Sequence, residues 1–239
     1  AGSGIVSFSL SPDNEQILIP LSGSLYLVDR MTGKSRELAS EAGYPIDARF
    51  SPDGNSVSCV RDGDLYVIDI ATGRERRLTD GATDTLTHGL AEFVAQEEMD
   101  RMRGYWWSPD SKQIVYQKTD TSGVEEWHIA DPANPDHLPQ AWRYPRPGKN
   151  NADVQLGILP ATGGKITWIE WDREKYPYLA NLTWKKHAPL TILVQNRKQT
   201  EEVLLAVDPK TGKSHELLRE SDEAWVNIDS EMPHWLKGG

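Results

Sequence analysis

The chain of 239 residues carries 26 Lys and Arg against 36 Asp and Glu, and its formal charge of −10 argues against a general nucleic-acid binder. Its mean hydropathy of −0.58 and the lack of an apolar run near the roughly 18 residues of a bilayer span exclude a transmembrane segment. The single cysteine, Cys59, excludes an internal disulfide and a cysteine metal site. Because the first residues lack the pattern of a signal peptide and begin at Ala1, we interpret the chain as an excised or processed piece.

Three Ser-Pro-Asp turns open three similar stretches of the chain. They begin at Ser11, Ser51 and Ser108; the first two are 40 residues apart, and the second interval is about 17 residues longer. Each turn precedes an apolar strand, a second turn and another strand, and the first two copies continue through a Thr-Gly turn to a last short strand. Four strands in about 40 residues are typical of a β-propeller blade.

A degenerate fourth unit follows, with apolar strands near 191–195 and 202–208, and residues 224–228 look like the opening strand of another unit. The pattern predicts an all-β fold, a partial β-propeller of about four four-stranded blades over residues 1–239 with one inserted short helix. We expect a long irregular stretch rich in proline over 131–151. The predicted blades are approximately 5–39, 46–79, 105–165 and 166–218, and the predicted helical insertion is 85–104.

The insertion between the second and third blades contains two adjacent carboxylates. Apolar residues at 91, 94, 95, 99 and 102 follow helical spacing. Glu97 and Glu98 would fan from one edge of this helix, where both could reach one ammonium group. The same spacing fits a solvated helix face in which Glu97 pairs with Arg101. Because the repeat itself does not require a helix here, we expect the helix to serve function.

Other features favour structural roles. The adjacent Trp106 and Trp107 are expected in the blade core. The six histidines lack metal-ligand spacing, so we predict neither a metal nor a cofactor. No Gly-x-Ser-x-Gly nucleophile elbow occurs in the sequence, and no catalytic residue is assigned in this chain.

Several of these segments together resemble the dipeptidyl peptidase IV family, particularly its bacterial members. The run from Glu92 to Met99, followed by 104–110, is similar to the family's double-glutamate helix and the blade after it. The likeness covers nearly the whole chain and is more specific than the Ser-Pro-Asp repeat, which many propellers share. It continues at 144–148, 168–172, 176–179 and 193–197.

The resemblance implies a propeller that caps an α/β-hydrolase domain of the same polypeptide, which is absent from this chain. It also implies that Glu97 and Glu98 hold the free α-ammonium of a peptide substrate, so that the parent, a serine-type exopeptidase, releases dipeptides with Pro or Ala at the second position. This chain alone is expected to be inactive. Family members hold a substrate carbonyl with an arginine from an early propeller loop, but the hairpin at 20–24 contains none, and that role is unassigned.

The expected partners are therefore peptide substrates and the hydrolase domain, while a homodimer stays open and no nucleic-acid partner is expected. The family suggests a periplasmic or otherwise extracytoplasmic location. The alternative is a non-enzymatic β-propeller scaffold that binds a protein partner, which the Ser-Pro-Asp repeats equally permit. The insertion helix with Glu97 and Glu98 favours the peptidase.

Overall fold

The computed structural model describes residues 4–229 and 232–236, and within them the regular structure is almost entirely antiparallel β-sheet. Among these residues, no helix has the length and apolar character needed to cross a bilayer. The first two sheets follow the predicted blades closely. The first contains β1 (Ser9–Leu10), β2 (Gln16–Leu21), β3 (Ser24–Asp29) and β4 (Ser35–Leu38), and the second β5 (Ile46–Phe50), β6 (Ser56–Arg61), β7 (Asp64–Asp69) and β8 (Glu75–Arg77).

The Ser-Pro-Asp repeat has a local physical cause. In the first copy the Ser11 hydroxyl donates to Asp13 at 2.5 Å and accepts the backbone N–H of Gln16 at 2.9 Å. Ser51 and Ser108 donate to their own aspartates at 2.6 Å in the same way. Each serine therefore ties the turn to the start of the next strand, which is how a short motif can set the beginning of a hairpin.

The Thr-Gly turns repeat a second local arrangement. Asp29 accepts hydrogen bonds from the backbone N–H and the hydroxyl of Thr32, both at 2.7 Å, and Asp69 accepts the equivalent pair from Thr72. The glycine that follows has a positive φ, 70° at Gly33, a backbone conformation that glycine adopts without a steric penalty. These turns connect the third and fourth strands of the blades.

The third sheet has five strands because the insertion contributes one of them. A separate two-stranded hairpin projects from the same region, so part of the stretch predicted as irregular over 131–151 is strand. The sheet also ends at Trp168, three residues beyond the predicted boundary at 165. It contains β9 (Leu86–His88), β10 (Tyr105–Trp107), β11 (Gln113–Asp120), β14 (Asp153–Pro160) and β15 (Thr167–Trp168), and the hairpin contains β12 (Glu126–Ile129) and β13 (Gln140–Arg143).

The fourth sheet reaches Ser221, three residues past the predicted end. The opening strand of another unit that we expected at 224–228 is absent: this segment has no strand, and Val226 is instead tied to the fourth sheet. The Val226 N–H donates to the carbonyl of Gln199, and its own carbonyl accepts from the side chain of Gln195 at 3.1 Å. The sheet contains β16 (Tyr178–Thr183), β17 (Leu190–Gln195), β18 (Glu201–Val207) and β19 (Ser214–Ser221).

Consecutive sheets pack face to face, each pair sharing an apolar core. Leu18 and Leu25 of the first sheet pack with Val57 of the second, and Val60 of the second lies in a cluster with Trp107 of the third. Trp106 points to the opposite face of β10 and belongs to the core between the third and fourth sheets. Both tryptophans are thus core residues, as the sequence predicts. This serial stacking is the packing of propeller blades.

Glu202 on β18 is a buried carboxylate with an unusual titration. Its side chain is 3% exposed, and one of its oxygens has no hydrogen-bond partner among the described residues. Burial, and then the charges of Glu220 and Asp229, raise its pKa to about 7. Because the folded chain holds this proton more tightly than the unfolded chain does, Glu202 contributes stability at low pH that is lost as the pH rises through 7.

We therefore expect Glu202→Gln to raise the Tm at pH 8 and to change it much less at pH 5.5, where the wild-type carboxyl already carries its proton. Each kcal/mol gained at pH 8 corresponds to about 2–4 °C in a chain of this size. Thermal unfolding followed by circular dichroism at the two pH values measures this. Equal Tm shifts at pH 8 and pH 5.5 would show that the ionisation of Glu202 does not limit stability.

Candidate functional site

The insertion forms a single short helix, α1 (Phe93–Glu98), preceded by β9. The helix is shorter than the apolar pattern over 91–102 suggests. Ala91, Ala95 and Met99 are buried as that pattern requires, but Met102 is 62% exposed. The helix ends because the chain turns at Asp100, whose φ of 51° is left-handed and is tolerated by aspartate better than by most residues.

One face of α1 packs on the fourth sheet. Val94 and Met99 belong to an apolar cluster with Ala180, Leu193 and Leu204 of that sheet. Although the repeat itself does not require this helix, the helix has a structural role, since it covers sheet surface that water would otherwise contact. This packing also fixes which residues of the helix face solvent.

A buried ion pair connects the two ends of the helical segment. Glu92 precedes α1 and Arg101 follows it, and an Nη atom of Arg101 lies 3.3 Å from a carboxylate oxygen of Glu92. The same oxygen accepts a hydrogen bond of 2.5 Å from Gln117 of β11. Arg101 also donates to the carbonyls of Leu179 at 3.1 Å and Arg103 at 2.7 Å. The guanidinium thus joins the insertion to the third and fourth sheets.

The charges of this pair are held away from water. Glu92 is 7% and Arg101 is 6% exposed, and the guanidinium carbon lies 5.8 Å from the centroid of the Trp106 ring. Burial lowers the pKa of Arg101, and the charge of Glu92 opposes this shift. A guanidinium stays protonated even after such a shift, so Arg101 keeps its positive charge beside the Glu92 carboxyl. Removing either partner would leave a buried charge without its counter-charge.

The base of the insertion is closed by backbone contacts. Leu90 and Arg103 form an antiparallel bridge. Gly89 donates to the carbonyl of Gln117, and Gln117 donates to the carbonyl of Gly104, at 2.7 and 2.8 Å. A Cβ at Gly104 would overlap the backbone of Gly89 and Leu90, so this crossing requires glycine. The segment between the two crossing strands is consequently a closed loop that holds α1 in place.

Glu97 and Glu98 lie in the last turn of α1, and both are exposed. Neither makes a hydrogen bond or an ion pair with the described residues. Arg101 is not the partner of Glu97 that the solvated-face interpretation requires, because its guanidinium is buried against Glu92. The last turn also contains no basic residue. Two negative charges beside free helix carbonyls are unfavourable, so the pair does not serve helix stability.

The start of α1 contacts the base of the projecting hairpin. The Phe93 ring meets Tyr144 edge to face with centroids 5.1 Å apart, and Tyr144 in turn lies 6.4 Å from Trp127. Arg146 stacks over Trp127 at 4.8 Å and forms two hydrogen bonds with Glu125, at 2.6 and 2.7 Å. These contacts support the exposed side of the helix from the hairpin.

One strand from each of the four larger sheets lines an open cavity of about 800 Å³. Residues of β1, β5, β10 and β16 all contribute to its wall. Such a shared inner cavity is what blades arranged around a common axis produce. The lining residues that carry charge are Asp47, Arg49, Arg103 and Lys185, with His234 beside them.

Comparison with known proteins places the chain in a family. The sequence model described as "Dipeptidyl peptidase IV (DPP IV) N-terminal region" matches residues 11–239. The chain belongs to the dipeptidyl peptidase IV family. The resemblance inferred from the double-glutamate segment is thereby confirmed.

Relatives agree with this placement. The chain is 30% identical over 151 residues to dipeptidyl peptidase 8 of Mus musculus, covering 53% of this chain and 17% of the mouse protein. It is 27% identical over 163 residues to a putative dipeptidyl aminopeptidase of Schizosaccharomyces pombe, covering 62% of this chain and 20% of the yeast protein. The chain spans about a fifth or less of these relatives.

The fold has a solved counterpart. The crystal structure of Porphyromonas gingivalis dipeptidyl peptidase 4 superposes with a TM-score of 0.82 at 21% identity, covering 92% of this chain and 33% of that one. This likeness confirms the predicted partial propeller fold of the dipeptidyl peptidase IV N-terminal region.

The sequence did not reveal the residues that hold the site. Glu92 and Arg101 of the insertion meet Gln117 of the third sheet through contacts that no spacing along the chain encodes. One signal was available in the sequence. Arg101 follows Glu97 by four residues and Glu92 by nine, so either carboxylate could be its ion-pair partner, and in the structure the partner is the buried Glu92.

Proposed function

We propose that the chain is the propeller portion of a longer serine-type dipeptidyl peptidase, in which Glu97 and Glu98 bind the free N-terminal ammonium of a peptide substrate. The observation that supports this most strongly is the state of the two carboxylates. They are adjacent, exposed and unpaired on a short helix that is fixed from three sides, at a position where they do not stabilise the fold.

An ammonium group suits this arrangement chemically. It has three N–H donors and a full positive charge, and two neighbouring carboxylates can accept two of those donors in charge-assisted hydrogen bonds. The closed base of the insertion and the Glu92–Arg101 pair keep the carboxylates from moving when the substrate binds. An anchor of fixed position sets the distance from the substrate amine to the scissile bond, and this makes the second peptide bond the one that is cleaved.

The catalytic machinery is proposed to lie outside this chain. The 239 residues contain no Gly-x-Ser-x-Gly motif, and the relatives named above are several times longer than the matched region. The parent would supply the nucleophile from an α/β-hydrolase domain, with Pro or Ala preferred at the second substrate position. Family membership favours this proposal over a non-enzymatic propeller that binds a partner protein.

The division of labour between the two parts is directly testable. We expect the purified 239-residue chain to leave Ala-Pro-p-nitroanilide intact and the full-length parent to release the dipeptide. The measurement is the rate of nitroaniline release at equal molar concentrations, with a parent preparation inactivated by a serine-directed phosphonate as the background control. Turnover by the 239-residue chain that survives repeated purification would overturn the assignment, and so would an inert parent.

A further inference from the structure

The inner cavity has the opposite charge to the rest of the molecule. The chain carries a formal charge of −10, yet among the described residues the cavity wall holds three permanent cations, Arg49, Arg103 and Lys185, and one carboxylate, that of Asp47. A concave wall of one sign focuses the local potential, because field lines concentrate in the solvent between low-dielectric surfaces. The cations of the cavity wall therefore favour binding of an anionic group, although the net charge of the chain is negative.

A β-bulge in β5 places Asp47 and Arg49 on the cavity wall. The pairing of β5 with β6 shifts register between Ile46 and Arg49, and Asp47 inside the bulge has a φ of 52°. The hydroxyl of Tyr105 donates to the Asp47 carbonyl and holds the bulge in place. Arg49 then pairs with Asp47 at 2.6 Å. Bulges of this kind commonly re-aim side chains at functional sites.

Within the described part of the chain, two of the cations have no counter-charge. The only carboxylate of the wall is taken by Arg49, and among the described residues no carboxylate lies within salt-bridge distance of Arg103 or Lys185. Desolvation and then the charge of Arg49 lower the pKa of Arg103, while Asp47 opposes them. The backbone of Arg103 is fixed by its bridge to Leu90 and by the hydrogen bond that Arg101 donates to its carbonyl.

We infer that Arg103, together with Arg49 and Lys185, forms an anion subsite that binds a carboxylate of the peptide substrate beyond the cleaved bond. This inference rests on the proposed function and deepens it. A guanidinium presents a planar pair of N–H donors that matches a carboxylate, and the ammonium of Lys185 on the wall of the same cavity adds a second charge. Trp184, which is half-buried on the same wall, gives apolar surface on which a peptide backbone can lie.

The carboxylate has two sources in a peptide, its C-terminus and the side chain of an acidic residue. Three hexapeptides that begin with Ala-Pro and continue with three glycines distinguish them. One ends in Glu with an amidated terminus, one in Gln with a free terminus, and the neutral reference in Gln with an amidated terminus. The readout is kcat/KM for dipeptide release by the full-length parent, expressed as a ratio to the neutral peptide.

At least one carboxylate peptide is expected to be cleaved about 5- to 20-fold more efficiently than the neutral one, since a charge-assisted contact in a partly desolvated site has this size. Arg103→Gln should bring that ratio close to one, and 0.5 M salt should reduce it in the wild type. The matched control is Arg76→Gln, an exposed arginine on β8 outside the cavity, which should keep the wild-type ratio.

Equal kcat/KM for all three peptides, or an unchanged ratio in Arg103→Gln, would overturn the subsite while leaving the proposed peptidase function standing. A parent that cleaves none of the peptides would instead refute the proposed function. In that case N-acetylated versions of the same peptides are titrated into the 239-residue chain by NMR. Carboxylate-dependent shifts that disappear in Arg103→Gln then support the subsite, and their absence rejects it.

Discussion

Replacing Glu97 or Glu98 by Gln in the proposed full-length parent is expected to lower kcat/KM for Ala-Pro-p-nitroanilide about 10- to 100-fold. Each substitution keeps the size of the side chain and removes one charge from the pair that faces the substrate ammonium. A hydrogen bond to a charged group is worth about 1.5–3 kcal/mol, which gives a loss of this size when it positions the reacting bond. Initial rates over a range of substrate concentrations measure the effect.

Exposed glutamates elsewhere provide the matched control. Glu174 is exposed and unpaired among the described residues and lies outside the inner cavity, so Glu174→Gln should keep the wild-type kcat/KM. The Glu97 and Glu98 variants should also keep the wild-type Tm within about 1–2 °C, because these carboxylates do not stabilise the helix. If the Glu97 and Glu98 variants both keep the wild-type kcat/KM, the two glutamates do not bind the substrate and form only a solvated helix face.

Arg101→Met is the change expected to damage the fold of the insertion most. It leaves the carboxylate of Glu92 buried without its counter-charge, and it removes the hydrogen bonds to the carbonyls of Leu179 and Arg103. Breaking a buried ion pair in this way costs about 3–5 kcal/mol, which corresponds to a fall in Tm of roughly 6–20 °C for a chain of this length. Thermal unfolding of the 239-residue chain measures it.

A double-mutant cycle separates the ion pair from simple loss of packing. Glu92→Gln removes the uncompensated charge, so Arg101→Met combined with Glu92→Gln should be more stable than Arg101→Met alone. Hydrogen exchange should show the lost protection concentrated in residues 90–103, the closed loop around α1. If Arg101→Met unfolds at the wild-type Tm, or if the two changes are simply additive, the pair does not hold the helix.

The blades were predictable from the sequence because their defining contacts are local. The serine of each Ser-Pro-Asp turn binds an aspartate two residues away and an N–H five residues away, so the motif carries its own hydrogen bonds wherever it occurs. The Asp29–Thr32 turn is equally self-contained. A local arrangement that repeats between short apolar strands leaves few folds other than stacked four-stranded sheets.

The parts that escaped prediction depend on contacts between distant segments. β9 joins the third sheet through its pairing with β11, which lies more than 25 residues further along the chain. No motif in either strand indicates that the two pair. The segment at 224–228 has the apolar pattern of a strand but uses its backbone to bind Gln195 and Gln199. Local propensity decides such cases only when no tertiary contact competes.

The candidate site was predicted in part. Adjacency alone identified Glu97 and Glu98 as a pair able to meet one cation, and the structure leaves both free to do so. The partner suggested for Glu97 was wrong, because helical spacing allows a contact with Arg101 but does not force it when a buried carboxylate offers a stronger one. The cations of the inner cavity come from three different sheets or their connections and could be recognised only after folding.

The most direct test of amine recognition compares a substrate that has a free amine with one that lacks it. The measurement is the ratio of kcat/KM for Ala-Pro-p-nitroanilide to that for its N-acetylated form, in the wild-type parent and in the Glu97→Gln, Glu98→Gln double variant. We expect a large ratio in the wild type, because acetylation removes the ammonium, and a ratio at least tenfold smaller in the double variant. The same ratio in both proteins would contradict it, since some other group would then be recognising the substrate amine.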